Sequence, residues 1–201
     1  MVAVIEKFAQ FPVGTLQTYW DSRASKWQTH EILTEYFVRL VREALSPPLT
    51  TLSTNDSILD VASGANPFHY FPAELKTRMH SIDLSPAALA LNPAAKRIMA
   101  DVRNSLPFRD NSFALITCIF GMRYFRNQEK VIDEMVRLLK PRGQLVIIDF
   151  KNSFNEVAVR DFEAEKLQAT TYNHAVRLES KRLFPGNPEC SPIDMLTGIK
   201  L

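Results

Sequence analysis

The stretch Ser57-Ile-Leu-Asp-Val-Ala-Ser-Gly-Ala-Asn-Pro67 decides the fold. An apolar run ends in Asp60 and a turn of small residues. About twenty residues later a second apolar run, in His80-Ser-Ile-Asp-Leu-Ser-Pro86, closes on Asp83. Strand, small-residue turn and later acid together outline a cleft for a nucleoside-bearing ligand. A turn without side chains lets backbone approach the ligand, and the acid accepts hydrogen bonds from ribose hydroxyls. Here the turn reads Ala62-Ser-Gly64-Ala-Asn66, so one glycine stands where a glycine-rich loop would usually have three.

Working outward, five short apolar runs bounded by Pro, Gly, Asp or Asn predict strands: Ser57 to Val61, Met79 to Ile82, Arg97 to Met99, Ala114 to Ile119, and Gln144 to Phe150. The uninterrupted Leu145-Val-Ile-Ile148 reads as a strand buried on both faces, as in a parallel sheet. Helical spacing appears in Leu33, Tyr36, Phe37, Leu40, Val41 and Ala44, with Pro47-Pro48 expected to stop that helix. It appears again in Val131, Ile132, Met135, Val136 and Leu139, with Asn127 as N-cap and Pro141 beyond the end. Strands alternating with helices predict an α/β, Rossmann-like open sheet, mostly parallel and twisted, with helices on both faces. In such sheets ligands sit outside the carboxyl ends of the strands, where strand order reverses.

Phe154, Ala158, Phe162, Ala169, Tyr172 and Val176 also recur at helical spacing, so a long helix is expected after Phe150. The remaining tail, from Pro185 to Leu201, has room for one short strand at most. We therefore expect a single domain over 1–201: an N-terminal helical lid over 1–50, a ligand-binding core over 56–150, and a C-terminal helix and tail over 151–201.

A chain of 201 residues, 46% hydrophobic and 23% charged, excludes disordered and fibrous classes. The net charge of +2 gives no reason to expect nucleic acid, and Arg177, Lys181 and Arg182 are read as a solvated helix face. Cys118 and Cys190 form neither a disulfide framework nor a metal pair, and His30, His69, His80 and His174 lack zinc-site spacing, so no metal is expected. Without a signal peptide pattern or an 18-residue apolar run, the reading is a cytoplasmic protein with no transmembrane segment.

Within the cleft, Asp83 would hold a ribose or cap the helix that starts near Ser85-Pro86. Asp101, in Met99-Ala-Asp-Val102, would accept from an exocyclic adenine amine while Leu84 and Val102 press on the ring. Gly121 either serves the ligand or relieves the turn after the fourth strand. His69, Tyr70, Arg123 and Tyr124 are the candidates for contact with a reacting group. Arg123 would hold an acidic or phenolate substrate, or lie in a surface salt bridge.

Taken in order, Ile58-Leu-Asp-Val-Ala-Ser-Gly64, Ile82-Asp-Leu-Ser-Pro86, Ala100-Asp101, Leu106-Pro-Phe-Arg-Asp-Asn-Ser-Phe113 and Leu139-Lys-Pro-Arg-Gly-Gln-Leu145 resemble the class I S-adenosylmethionine-dependent methyltransferases. Within them, Phe120-Gly-Met-Arg-Tyr-Phe125 and Ile147-Ile-Asp-Phe150 are similar to the ubiquinone/menaquinone-biosynthesis C-methyltransferase group. The resemblance implies S-adenosylmethionine as cofactor, S-adenosylhomocysteine as product, a small, partly apolar substrate, and a seven-stranded sheet. It also implies that Asp60, Ala62, Ser63 and Gly64 line the methionine and ribose end and that Asp83 holds the ribose. Leu84 and Val102 would sandwich the adenine, Asp101 would take its amine, and Cys118 and Ile119 would form the wall under the sulfonium. Trp27 matches a lid aromatic, although both tryptophans equally suit core positions.

Two departures from that pattern bear on function. Ala62 replaces the first loop glycine, at a cost of about 1 kcal/mol if the position needs positive φ. Asn66, followed by Pro67, replaces the third. In addition, the 51 residues after Phe150 leave the family's terminal hairpin shortened or missing, so a homodimer would close the uncovered sheet edge. Two alternatives follow: a non-catalytic binding or scaffold protein on this fold, in which aromatic side chains fill the adenine position, and, third, a nicotinamide dehydrogenase, for which Gly-x-Gly-x-x-Gly is absent.

Overall fold

The computed structural model describes residues 13–25, 35–65, 70–151, 162–170, 176–186 and 192–201. Among the described residues, two helices come first, α1 (Val13–Asp21) and α2 (Glu35–Thr50). Then follow β1 (Ile58–Val61), β2 (Met79–Asp83), α3 (Pro86–Leu91), β3 (Lys96–Met99), β4 (Phe113–Ile119), α4 (Gln128–Leu138) and β5 (Leu139–Phe150). The chain ends with α5 (Ala164–Thr170), β6 (Val176–Phe184) and β7 (Ile193–Lys200). All five strands expected from sequence are present, within a residue at most of their bounds except β5. That strand begins at Leu139, and its pairing with β4 shifts register between Phe113 and Leu115.

The seven strands form one sheet in the order β3-β2-β1-β4-β5-β7-β6, with β7 antiparallel to both neighbours. Successive residues point to opposite faces, so each apolar run feeds two cores. On one face Leu59, Val61, Ile116, Cys118, Leu145 and Ile147 pack with Val131, Ile132, Met135 and Val136 of α4 and Leu167 of α5. On the other, Ile58, Leu115, Val146 and Ile148 pack with Val41 and Leu45 of α2. The order in which strands are added reverses between β1 and β4, which run parallel, and this puts the ligand-binding end at the loops after β1, β2, β3 and β4.

Three expectations need correcting. Pro47 and Pro48 do not end α2; they lie in its last turn, where Pro48 is buried, and Thr50 Oγ1 and Thr51 Oγ1 donate back to the carbonyls of Pro47 and Pro48. The second correction concerns the C-terminal hairpin, which is present. Among the described residues after Phe150 helix occupies 164–170, while Phe154, Ala158 and Tyr172 lie outside the described residues. Val176 and Leu178 belong to β6, where period-two spacing turns both side chains to one face. A Cβ on Gly198 of β7 would stand 2.7 Å from Leu178 Cδ2, so that glycine is what lets the hairpin close over them. Third, β7 covers the edge of β5, so no uncovered edge there calls for a second subunit. Arg177, Lys181 and Arg182 sit on β6 rather than on a helix, and Arg182 pairs with Asp194 of β7.

Asn127 is the N-cap of α4, its side chain accepting from the Lys130 amide. Among the described residues no helix is long and apolar enough to cross a membrane, and no group of three or more His, Cys, Asp or Glu is placed to hold a metal.

Candidate functional site

The cleft at the carboxyl ends of β1, β2, β3 and β4 has a volume of about 160 Å³. Its walls are Ala62, Ser63, Gly64 and Ala65 after β1; Asp83, Leu84 and Ser85 after β2; Ala100 to Arg103 after β3; and Ile119, Phe120, Gly121, Tyr124 and Phe125 after β4. Tyr70 and the α1 segment complete it, through Leu16, Trp20 and Ala24.

The loop after β1 is built around positive φ: +54° at Ala62 and +62° at Gly64. A Cβ on Gly64 would meet nothing within 4 Å, so the missing side chain leaves room on the cleft wall. The loop is held from behind. Gly64 N donates to Asp83 Oδ2 at 2.8 Å, Asn92 Nδ2 donates to the Gly64 carbonyl at 2.8 Å and to Ser63 Oγ at 3.1 Å, and Ser63 Oγ donates to Ser81 Oγ. Asn92 is buried and had no role in the sequence reading; its only signal was a polar residue ending an apolar helix.

Asp83 does not cap α3. Ser85 does, accepting from Ala88 N at 3.0 Å, while Asp83 Oδ1 accepts from Ser85 N at 2.9 Å. Each Asp83 oxygen therefore takes one N–H and keeps capacity for another donor. Burial raises the Asp83 pKa, against the pull of the Ser85 and Gly64 amides, and the charge of Asp21 adds to the rise. Asp21 reaches across from α1 to accept from Ser85 Oγ at 2.5 Å and Ala87 N at 3.1 Å, a second cap on α3 supplied by another helix. Ala24, Ala65 and Ala88 pack together beside it, small residues that let α1, the loop and α3 approach closely.

Asp101 differs from Asp83. Its Oδ1 accepts from Arg103 N at 3.0 Å and Arg103 Nε at 2.8 Å, and its Oδ2 from Arg103 Nη2 at 2.7 Å and Nε at 3.0 Å. Burial raises its pKa, but the hydrogen bonds and charge of Arg103 outweigh that and hold the carboxyl below its ordinary value. Leu84 and Val102 line the same part of the cleft with Ala88 and Ala100. The segments after β2 and β3 contribute no aromatic ring to the cleft wall.

Two residues expected on the cleft lie behind it. Asp60 is 3% exposed and pairs in register with Thr117 of β4, whose Oγ1 donates to Asp60 Oδ1 at 2.6 Å. Burial pushes the Asp60 carboxyl up to about 6, against the bonds from Thr117 and Ser63. Cys118 is fully buried, its thiol pushed up by burial, and stands behind Gly121 rather than on the wall. Ile119 is on the wall as expected.

Gly121 has φ −109°, so no left-handed turn requires it; the strained residue is Phe120, at φ +57°. Steric room is what demands the glycine. A Cβ there would lie 2.7 Å from Ala62 Cβ and 3.0 Å from Cys118 Sγ.

After Gly121 the expected pair divides. Tyr124 is on the cleft wall, its ring edge-on to Trp20 at 4.7 Å. Arg123 is neither on the wall nor in a surface salt bridge: 8% exposed, it lies 3.7 Å from the fully buried Asp149. Its backbone N–H donates to Asp149 Oδ2 at 3.0 Å, its guanidinium covers the Phe150 ring at 4.9 Å, and Nη2 donates to Tyr124 Oη at 3.2 Å. Asp149 of the Ile147-Ile-Asp-Phe150 run thus anchors the segment that carries Tyr124. His69, Asn66 and Trp27 lie outside the described residues. Trp20 holds the aromatic position on the α1 side, and Leu16, Trp20 and Ala24, each four residues apart, were the legible signal for that face.

Comparison with known proteins agrees with this geometry. The methyltransferase domain family matches residues 59–147. The ubiquinone/menaquinone biosynthesis C-methyltransferase UbiE of Pseudoalteromonas translucida is 39% identical over 59 residues, 29% of this chain and 24% of that protein. The demethylmenaquinone methyltransferase of Paenarthrobacter aurescens is 28% identical over 187 residues, 84% of this chain and 72% of that one. Against three of the most similar curated relatives, the chain spans only 24%, 26% and 41% of their length. Among solved structures, a SAM-dependent methyltransferase from Aquifex aeolicus shares the fold with a TM-score of 0.63 at 16% identity, covering 90% of this chain and 98% of that one.

Proposed function

We propose that this chain, a member of the class I S-adenosylmethionine-dependent methyltransferases, transfers a methyl group to a small, partly apolar ring compound. The observation that carries the reading is Asp83, whose two oxygens each hold one backbone N–H and keep acceptor capacity toward the cleft, next to the side-chain-free Gly64. That arrangement fits a ribose with two neighbouring hydroxyls. Leu84 and Val102 then offer apolar surface to the base, and Asp101 the acceptor for its amine. The small residues Ala62 and Ser63 border the amino-acid end, with Asp60 as a buried support for their loop through Thr117.

Bound S-adenosylmethionine supplies an electrophilic methyl group on its sulfonium. The remaining task falls to the protein, which must hold the acceptor atom in line at about 3 to 3.5 Å; such positioning supplies several kcal/mol of the barrier. Trp20, Tyr70, Phe120, Tyr124 and Phe125 give that part of the cleft an aromatic wall suited to a flat acceptor. Tyr124, whose Oη accepts from Arg123 Nη2 at 3.2 Å, adds a polar group to that wall within the segment that Asp149 anchors. A quinone-related acceptor, the class to which the names of the C-methyltransferase, demethylmenaquinone methyltransferase and benzoquinol methylase relatives point, matches that combination.

Calorimetric titration with S-adenosylhomocysteine tests the reading. Asp83→Ala is expected to weaken binding by about 1.5 to 3 kcal/mol, the cost of a lost charged hydrogen-bond site. Equal affinity in the variant would overturn the assignment. Incubating the protein with S-adenosylmethionine and a panel of quinols and phenols, followed by mass spectrometry, then identifies the acceptor.

A further inference from the structure

Two carboxylates line the cleft, and they differ in what they can still accept. A carboxylate offers about four lone-pair sites. Asp83 uses one on each oxygen. Asp101 receives four contacts from three N–H groups of Arg103, which fills both oxygens. A ligand amine therefore finds Asp101 already satisfied.

From this we infer that Arg103 competes with the nucleobase for Asp101, and that it thereby sets how tightly the cleft holds an adenine amine. The inference rests on the reading of the cleft as an adenosyl site. When the ligand enters, the amine takes up lone pairs released by Nε and Nη2 of Arg103, while the backbone N–H of Arg103 stays on Oδ1. The side chains are disposed for that exchange. Arg103 is 31% exposed and has solvent to move into, whereas Asp101 is 12% exposed and its carbonyl is held by Asn104 N at 3.0 Å. Because the guanidinium is the more exposed partner, water can solvate it when it leaves Asp101, which lowers the cost of its displacement. Arg103 is thus a specificity-determining residue: it admits a ligand that can return hydrogen bonds to Asp101 and disfavours one that cannot.

Calorimetry with S-adenosylhomocysteine on the intact chain separates the possibilities, using the natural protein, Arg103→Leu, Asp101→Asn and the double variant. Arg103→Leu is expected to bind about three-fold tighter, since the competing ion pair is gone. In that background Asp101→Asn is expected to cost about ten-fold, and clearly less when Arg103 is present. Binding that is unchanged or weaker in Arg103→Leu overturns the inference, as does an Asp101→Asn penalty equal in both backgrounds. If the natural protein and every variant fail to bind, the adenosyl reading itself falls. Arg103→Lys carries the same prediction should Arg103→Leu melt early, because one ammonium cannot span both oxygens.

Discussion

Ala62 and Gly121 face each other across the ends of β1 and β4 so closely that only one of them can carry a side chain. The methyl of Ala62, held at φ +54°, occupies the space that a Cβ on Gly121 would enter at 2.7 Å. Gly121→Ala is therefore expected to destabilise the fold by about 1 to 3 kcal/mol through overpacking. Ala62→Gly alone relieves a positive-φ penalty of about 1 kcal/mol, and the double variant should recover much of the Gly121→Ala loss. Urea denaturation of the four proteins measures the coupling; purely additive effects would show that the two residues do not share the space.

Asp60 gives stability a pH signature. Its folded-state value of about 6 lies above the ordinary carboxyl value of 3.8 because burial disfavours the charge. The folded state thus binds the proton more tightly, and the stability contributed by this group is full below about pH 3.8 and is lost as pH rises to about 6. Over that window the loss is on the order of 3 kcal/mol. Asp60→Asn, compared with the natural protein by urea denaturation at several pH values, should gain relative stability from pH 4 to pH 7. A constant difference across that range would contradict the assignment.

Asp21 is expected to seat the aromatic wall of the cleft. Asp21→Ala removes the acceptor for Ser85 Oγ and Ala87 N and should cost about 1 kcal/mol, as the loss of a helix cap does. With Trp27→Phe as background, Trp20 becomes the sole tryptophan, and its emission should shift to the red as α1 loosens from Tyr124. Unaltered emission and melting temperature would show that α1 is held by its alanine contacts instead.

Tyr124→Phe preserves the ring against Trp20 and removes only the hydroxyl that Arg123 addresses. Turnover with a quinol or phenol acceptor should fall about ten-fold or more, while affinity for S-adenosylhomocysteine stays within about two-fold. An equal loss of both would place Tyr124 among the residues that shape the loop rather than those that meet the acceptor.

The sequence by itself determined the first five strands, the α4 helix with its Asn127 cap, and the loops that carry Gly64, Asp83 and Asp101, because local periodicity and turn residues are written along the chain. It could not decide the hairpin of β6 and β7. Val176 continues a helical spacing from Phe162 and also starts an alternating strand, and only pairing with β7, opened by Gly198, chooses between them. Nor could it tell which acids face the cleft: Asp60 turns to Thr117, Asp101 is filled by Arg103, and Asp83 keeps acceptor capacity. Arg123 shows the same limit, since its partner Asp149 is 26 residues away. A carboxylate's burial, and the donors that satisfy it, come from neighbouring strands and loops brought together by the sheet. That is why the positions of the cleft-lining residues were legible in the chain, while the partners that satisfy them came only with the tertiary structure.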